Sequence, residues 1–192
     1  MKKLFIPVIL GTSRPGRQSE KVANLIVKTS KEIPNIVTSL IDPLDFHFPY
    51  DGNDSENKDP RYTEITDKAD GFIIVTPEYN HSFPGTLKRM LDSELKNYIH
   101  KPVAIAGVSN GIFGGARAIE NLLPTLREMG MIASFSDLYF PEVQNLFDEN
   151  GNILDTSYVR RIKRTLDELT WLATTLNWGK ENIPNIYHKI EK

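Results

Sequence analysis

Three short stretches concentrate the residues able to do chemistry. They are Gly11-Thr12-Ser13-Arg14-Pro15-Gly16-Arg17-Gln18-Ser19, Pro77-Glu78-Tyr79-Asn80-His81-Ser82-Phe83-Pro84-Gly85 and Ser109-Asn110-Gly111-Ile112-Phe113-Gly114-Gly115. Each follows an apolar run and precedes a helical pattern. A loop that enters a helix presents unpaired N–H groups and the positive end of the helix dipole, which favours an anion. In the first stretch Thr12, Ser13 and Ser19 add hydroxyls, and Arg14 adds a planar fork suited to phosphate oxygens. The plainer alternative is that Ser19 caps the helix and the arginines are solvated.

Two phosphate-loop patterns can be tested against it. Gly11 and Gly16 have the glycine spacing of G-x-x-x-x-G-K-[ST], but Arg17 and Gln18 stand where the lysine and the magnesium hydroxyl belong. The G-x-G-x-x-G pattern is absent from the first and third stretches. Asp42 shares with the ribose acid of dinucleotide folds only its place at a strand end, and without the glycines it reads as a turn or cap residue. A phosphate held without a magnesium partner points to a bound cofactor more than to a nucleotide that is hydrolysed.

The elements that must position these loops follow from the hydrophobic pattern. "LFIPVIL", "NIVTSLID", "GFIIVT", "KPVAIAGV" and "MIASFSDLYF" are apolar enough for strands buried on both faces. Between them come amphipathic stripes: Val22, Leu25, Ile26 and Ile33; a short helix over "TEITDKAD"; Leu87, Met90, Leu91 and Leu95; and "GARAIENLLPTLREMG", which Pro124 is expected to kink or split. "PLDFHFPYDGNDSENKDPRYTEI" reads as a loop. A last helix carries Ile162, Leu166, Leu169, Ala173 and Leu176. The order βαβαβαβαβα predicts an α/β fold with a parallel, doubly wound sheet and one domain over residues 1–192. In such sheets ligands bind beyond the carboxyl ends of the strands, where all three loops converge.

Composition excludes several classes. The 192 residues are 40% hydrophobic and 25% charged, with a net charge of −2, so no nucleic-acid partner is expected. There is no cysteine, which removes disulfides and thiolate chemistry. His47, His100 and His188 are isolated and show no metal-ligand spacing, and His81 reads as a solvated loop histidine. Pro7 and Arg14 interrupt the N-terminal apolar run, and no segment approaches membrane length, so a cytoplasmic protein is expected.

"TPEYNHSFPGTLKRMLD" closely resembles the signature of the NADPH-dependent FMN reductase family, and "GTSRPGR" resembles that family's first-loop motif. The two occur in the family's order and separation, and the strand–helix order matches along almost the whole chain. The resemblance implies a flavodoxin-like three-layer sandwich, with a five-stranded parallel sheet in the order 2-1-3-4-5 and helices on both faces. It implies bound FMN, reduced by NADPH or NADH and reoxidised by a flavin, quinone, azo compound or metal oxyanion.

Carried onto this chain, Thr12, Ser13, Arg14 and Ser19, with the backbone amides of Gly16, Arg17, Gln18 and Ser19, would hold the FMN phosphate. Pro77, Glu78, Tyr79 and Asn80 would lie against the isoalloxazine and ribityl chain, with Glu78 equally readable as a structural acceptor for backbone amides. Ser109, Gly111, Gly114 and Gly115 would approach the pyrimidine end of the ring through their backbones. Arg17 is also a candidate for the NADPH 2′-phosphate. Catalysis would need no protein nucleophile, because the cofactor carries the chemistry. The family often continues with Asn-Ala-x-Asp-Trp. Here Arg89-Met90-Leu91-Asp92-Ser93 keeps the aspartate and loses the tryptophan, which leaves the contact with a partner subunit in a homodimer or homotetramer open. Two other readings stand beside this one: a flavodoxin-like electron carrier without a nicotinamide site, and a non-redox binding module of the same fold.

Overall fold

The computed structural model describes residues 3–50, 52, 54 and 57–188. Residues 51, 53, 55 and 56 of the expected loop lie outside the described residues. The strands are β1 (Leu4–Phe5), β2 (Val8–Leu10), β3 (Ile36–Val37), β4 (Leu40–Ile41), β5 (Phe72–Pro77), β6 (Pro102–Val108), β7 (Ile132–Ala133) and β8 (Leu138–Phe140). The helices are α1 (Ser19–Ser30), α2 (Pro60–Lys68), α3 (Gly85–Asp92), α4 (Ala116–Glu128) and α5 (Ser157–Asn182).

Every paired strand is parallel. The main sheet has six strands rather than five, in the order β4-β2-β5-β6-β7, with β8 also on β6, and β1-β3 form a separate pair. The difference has a local cause. The first expected strand is divided at Pro7, which has no N–H for a ladder. Backbone bonds still cross the break, from Ile6 N–H to the Val37 carbonyl (2.9 Å) and from Val8 N–H to the Ser39 carbonyl (2.8 Å). The fifth expected strand is divided because Phe135 to Asp137 leave the sheet after a last bond from Ser134 N–H to the Val103 carbonyl (2.8 Å); β7 and β8 then pair with the two ends of β6 in turn. By position along the sheet the order is still the expected 2-1-3-4-5.

The apolar runs are continuous because both faces are covered, and alternation sorts them. Val8 and Leu10 of β2 and Ile73 and Val75 of β5 face one core with Val22 and Ile26 of α1 and Ile162, Leu166 and Leu169 of α5. Ile9, Phe72 and Ile74 face the other core with Leu87, Met90 and Leu91 of α3 and Ile119, Leu122 and Leu126 of α4. Each fully buried Ile or Leu contributes about 1.5–3 kcal/mol.

Three helical details depart from expectation. α3 stops at Asp92, so Leu95 is off its stripe and exposed; Tyr98, on a following 3₁₀ turn, fills the core instead. α4 runs through Pro124 without splitting, and Pro124 sits on its exposed side, where the carbonyl it leaves unpaired can face water. α2 begins at Pro60, earlier than the pattern indicated, with Asp59 capping it by accepting from Arg61 N–H. That carboxyl is held down to about 2, chiefly by the hydrogen bond from the Arg61 side chain.

Candidate functional site

The carboxyl ends of β2, β5, β6 and β8 meet at one edge and enclose a cavity of about 350 Å³. That volume lies at the lower end of the range for small-molecule sites, roughly 300–1,000 Å³. Of the expected residues, Thr12, Arg14, Gly16, Arg17, Gln18, Ser19, Pro77, Glu78, Tyr79 and Ser109 line it together. Ser13, Asn80, Gly111, Gly114 and Gly115 do not line it. Ser13 instead borders a neighbouring hollow with Phe46, His47 and Tyr50.

The first loop is built around two residues with different tasks. Thr12 is buried; its hydroxyl exchanges a 2.9 Å hydrogen bond with the Tyr79 hydroxyl and accepts from Arg14 N–H at 3.3 Å. This ties the loop after β2 to the loop after β5. Arg17 turns inward and donates to both carboxylate oxygens of Asp42, to the Thr12 carbonyl (2.9 Å) and to Glu20 (3.3 Å). Burial alone would lower its pKa, but Asp42 and Glu20 outweigh that and hold it above the ordinary value. Asp42 also accepts from Leu44 N–H and caps the 3₁₀ turn that follows β4, so it is a cap residue and an ion-pair partner at once. Arg14 stays exposed, with its guanidinium 5.9 Å from the Tyr79 ring centre.

α1 begins at Ser19 with no side chain capping it. The Ser19 hydroxyl oxygen is buried and has no partner among the described residues. A buried hydroxyl without a partner is costly, about 1–3 kcal/mol, and an anion at this helix start would satisfy both it and the orphan amides.

The second loop is a tight turn. Tyr79 and Ser82 exchange both backbone hydrogen bonds (2.8 and 3.0 Å), and Asn80 and His81 between them have φ of 51° and 65°. Both central residues in the left-handed region make a primed turn, and asparagine tolerates that conformation best after glycine. Asn80 is thereby spent on the turn and exposed. Among the described residues Glu78 accepts from no backbone amide. Its Oε1 takes a 3.1 Å bond from Arg117, and its Oε2 is buried without a partner among the described residues.

The third loop owes Gly114 and Gly115 to packing. Gly115 has φ of 84°, and a Cβ there would stand 2.5 Å from Val108 N; a Cβ on Gly107 would stand 2.7 Å from the Gly114 carbonyl. These residues let α4 start flush against β6, and the Gly111 carbonyl is taken by Ser109 Oγ and Glu142 N–H. The fourth wall, Val143 and Gln144, was missed in the sequence. It follows β8 and is bonded to the third loop, Val143 N–H to the Ser109 carbonyl (3.1 Å) and Gln144 to the Asn110 carbonyl (3.2 Å). The rule that parallel strands end at one edge applies to the fifth strand too, and was the available signal.

The result is a polar anion corner at the α1 start beside a slot walled by Pro77, Tyr79 and Val108. Such a site suits a flat ring carrying a phosphorylated chain, and the two unpartnered buried oxygens fit FMN, which brings both hydrogen-bond donors and acceptors. Among the described residues no group of three His, Asp or Glu is placed to hold a metal ion, and no helix is long and apolar enough to cross a membrane.

Comparison with known proteins agrees. A quinone reductase of Escherichia coli K12 is 33% identical over 188 residues, covering 90% of this chain and 93% of that one. A 2-hydroxy-1,4-benzoquinone reductase of Burkholderia sp. is 30% identical over 158 residues, covering 72% and 85%. The FerB flavoenzyme NAD(P)H:(acceptor) oxidoreductase of Paracoccus denitrificans shares the fold, with a TM-score of 0.74, 21% identity and coverage of 88% of this chain and 98% of that one. The family model for NADPH-dependent FMN reductase matches residues 5–144, which take in all four walls of the cavity. The chain therefore belongs to the NADPH-dependent FMN reductase family, and is an oxidoreductase whose cofactors are FMN and NAD(P)H.

Proposed function

We propose that this enzyme reduces quinones, using FMN held in the cavity at the carboxyl edge of the sheet. The observation that carries the reading is the cavity itself, where an uncapped helix start and the buried Ser19 hydroxyl adjoin the Pro77-Glu78-Tyr79 wall. FMN, when bound, would supply the redox chemistry, that of hydride acceptance from NAD(P)H and electron delivery to the acceptor. The chain's own residues hold and orient. Ser19 Oγ, the amides from Gly16 to Ser19 and the Arg14 guanidinium take the phosphate, while Thr12 fixes Tyr79 against the ring. Ser109 and Asn110, the two residues of the third loop that line the cavity, would lie toward the pyrimidine end.

Quinones are favoured because two relatives that cover most of this chain are named for quinone reduction. Flavin, azo and metal-oxyanion acceptors are further oxidants that an open ring face would admit. The active form is a cytoplasmic homodimer or homotetramer, which light scattering at micromolar concentration tests; a monomer mass refutes it.

The deciding experiment is an absorbance spectrum of the FMN-reconstituted protein before and after anaerobic NADPH, followed by addition of benzoquinone. Bleaching by NADPH and recovery with the quinone are expected, as is a ping-pong pattern in steady state. A flavin spectrum that NADPH leaves unchanged would make the protein an electron carrier. Failure to retain FMN would overturn the assignment.

A further inference from the structure

One acidic residue of the cavity wall, Glu78, is paired with an arginine that stands outside the lining. Glu78 lines the cavity, and its side chain is only 10% exposed. One of its oxygens is held by Arg117 at 3.1 Å while the other is buried without a partner among the described residues. Arg117 lies in the first turn of α4. A cation at a helix start opposes the dipole, so the position is not explained by helix stability. Its guanidinium also sits over the Phe113 ring at 4.4 Å, which fixes it between the loop after β6 and the loop after β5. The geometry is that of a carboxylate turned toward the cavity wall with its counter-charge placed behind it.

Resting on the FMN assignment above, we propose that Glu78 and Arg117 form a charge couple that sets the reduction potential of the bound flavin, Glu78 lowering it and Arg117 raising it. Reduction adds a hydride from NAD(P)H, releases NAD(P)⁺ and leaves the ring one negative charge richer. A carboxylate beside the ring opposes that added charge, and a guanidinium favours it. The Glu78 carboxylate is only 10% exposed, so its effect exceeds that in bulk water, while the 42% exposed Arg117 acts through partial screening. The couple keeps the flavin reducible by nicotinamide yet still able to give its electrons to a weaker oxidant. Arg117 is here a positioning and tuning residue, because its partner is Glu78 and not the substrate.

The test is the midpoint potential of the FMN holoenzyme, measured by equilibration with indicator dyes, alongside the FMN dissociation constant by fluorescence. Glu78→Gln keeps shape and removes the charge; it is expected to raise the ratio of reduced to oxidised flavin at a fixed ambient potential about tenfold, roughly 30 mV for a two-electron couple. Arg117→Met is expected to shift the same ratio in the opposite direction, and Arg117→Lys to restore it. Shifts of opposite sign support the couple, since a merely structural role moves both variants the same way. Unchanged potentials, or shifts of one sign, overturn it. Because Glu78→Gln is nearly isosteric, its potential decides the matter even where Arg117→Met folds poorly. Wild-type protein that binds no FMN overturns the parent assignment instead, and shows itself before any variant is measured.

Discussion

Replacing Asp42 with alanine removes the two carboxylate oxygens of that residue that accept from the inward-turned Arg17. The side chains are 7% and 16% exposed, so the pair is well shielded without being sealed. What remains to Arg17 is the Thr12 carbonyl at 2.9 Å and Glu20, which is itself exposed, at 3.3 Å. Two charge-assisted hydrogen bonds are lost and a nearly buried guanidinium keeps only a partly solvated counter-charge. Breaking a fully buried pair costs about 3–5 kcal/mol, and exposed pairs are worth about 0–1 kcal/mol. The shielding here places the expected loss between them, at about 2 kcal/mol. For a chain of this size that lowers the unfolding midpoint by about 4–8 °C. Asp42→Asn keeps the cap on Leu44 N–H and one acceptor for Arg17, so its loss should be about half. Thermal unfolding without FMN reads the stability, and FMN fluorescence titration reads the loop, whose Thr12 carbonyl is anchored by the same guanidinium. FMN affinity is expected to fall at least threefold in Asp42→Ala. Wild-type unfolding and wild-type FMN affinity in that variant would refute the clamp. Arg17→Ala with a changed NADPH to NADH preference would give Arg17 the coenzyme role instead.

Ser19→Ala should weaken FMN binding about tenfold while leaving apo-protein stability unchanged or slightly higher, since an unpartnered buried hydroxyl is removed; equal affinity by titration would place the phosphate elsewhere. Gly115→Ala combines a φ of 84° with a Cβ 2.5 Å from Val108 N, so it should cost at least about 2–3 kcal/mol and lower the unfolding midpoint accordingly; a wild-type midpoint would contradict the close packing. Lys101 is 9% exposed, donates to the Thr66 and Asp67 carbonyls (2.7 and 2.8 Å) and is pushed down to about 8, chiefly by burial and then by Lys180. Unfolded, it holds its proton up to about pH 10.4. Between those values the unfolded chain binds more protons, so this residue makes stability rise with pH from about 8 upward, by at most about 3 kcal/mol. Denaturant midpoints at pH 7.5 and 9.5 should show the rise in wild type and lose it in Lys101→Met.

The sheet order and the site edge were legible because alternating strands and helices leave few topologies, and because Gly, Pro, Ser and Asn crowd the loops at one end. What could not be read depended on contacts far apart in the chain. Arg14 and Arg17 are three residues apart and chemically alike. Only the placement of β4 beside β2 brings Asp42 to Arg17 and leaves Arg14 exposed. Glu78 is paired by Arg117, 39 residues away, through the packing of α4 on β6. The family resemblance sets Gly114 and Gly115 near the ring; that they also let α4 approach β6 closely is a long-range contact no local pattern displays. The split of the last strand turns on Phe135, an apolar residue that is 89% exposed and whose N–H is bonded to Glu168 of α5.

The ties that close the cavity span large stretches of sequence: Thr12 to Tyr79 across 67 residues, Arg17 to Asp42 across 25, and Asn110 to Gln144 across 34. No one loop taken alone carries the whole site. During synthesis a chain that ends before Phe140 has only three of the four walls, however well its early helices have formed. Cofactor loading is thereby a late event, coupled to completion of the sheet. Flavin capture by ribosome-stalled chains of increasing length would begin only once residue 144 has emerged.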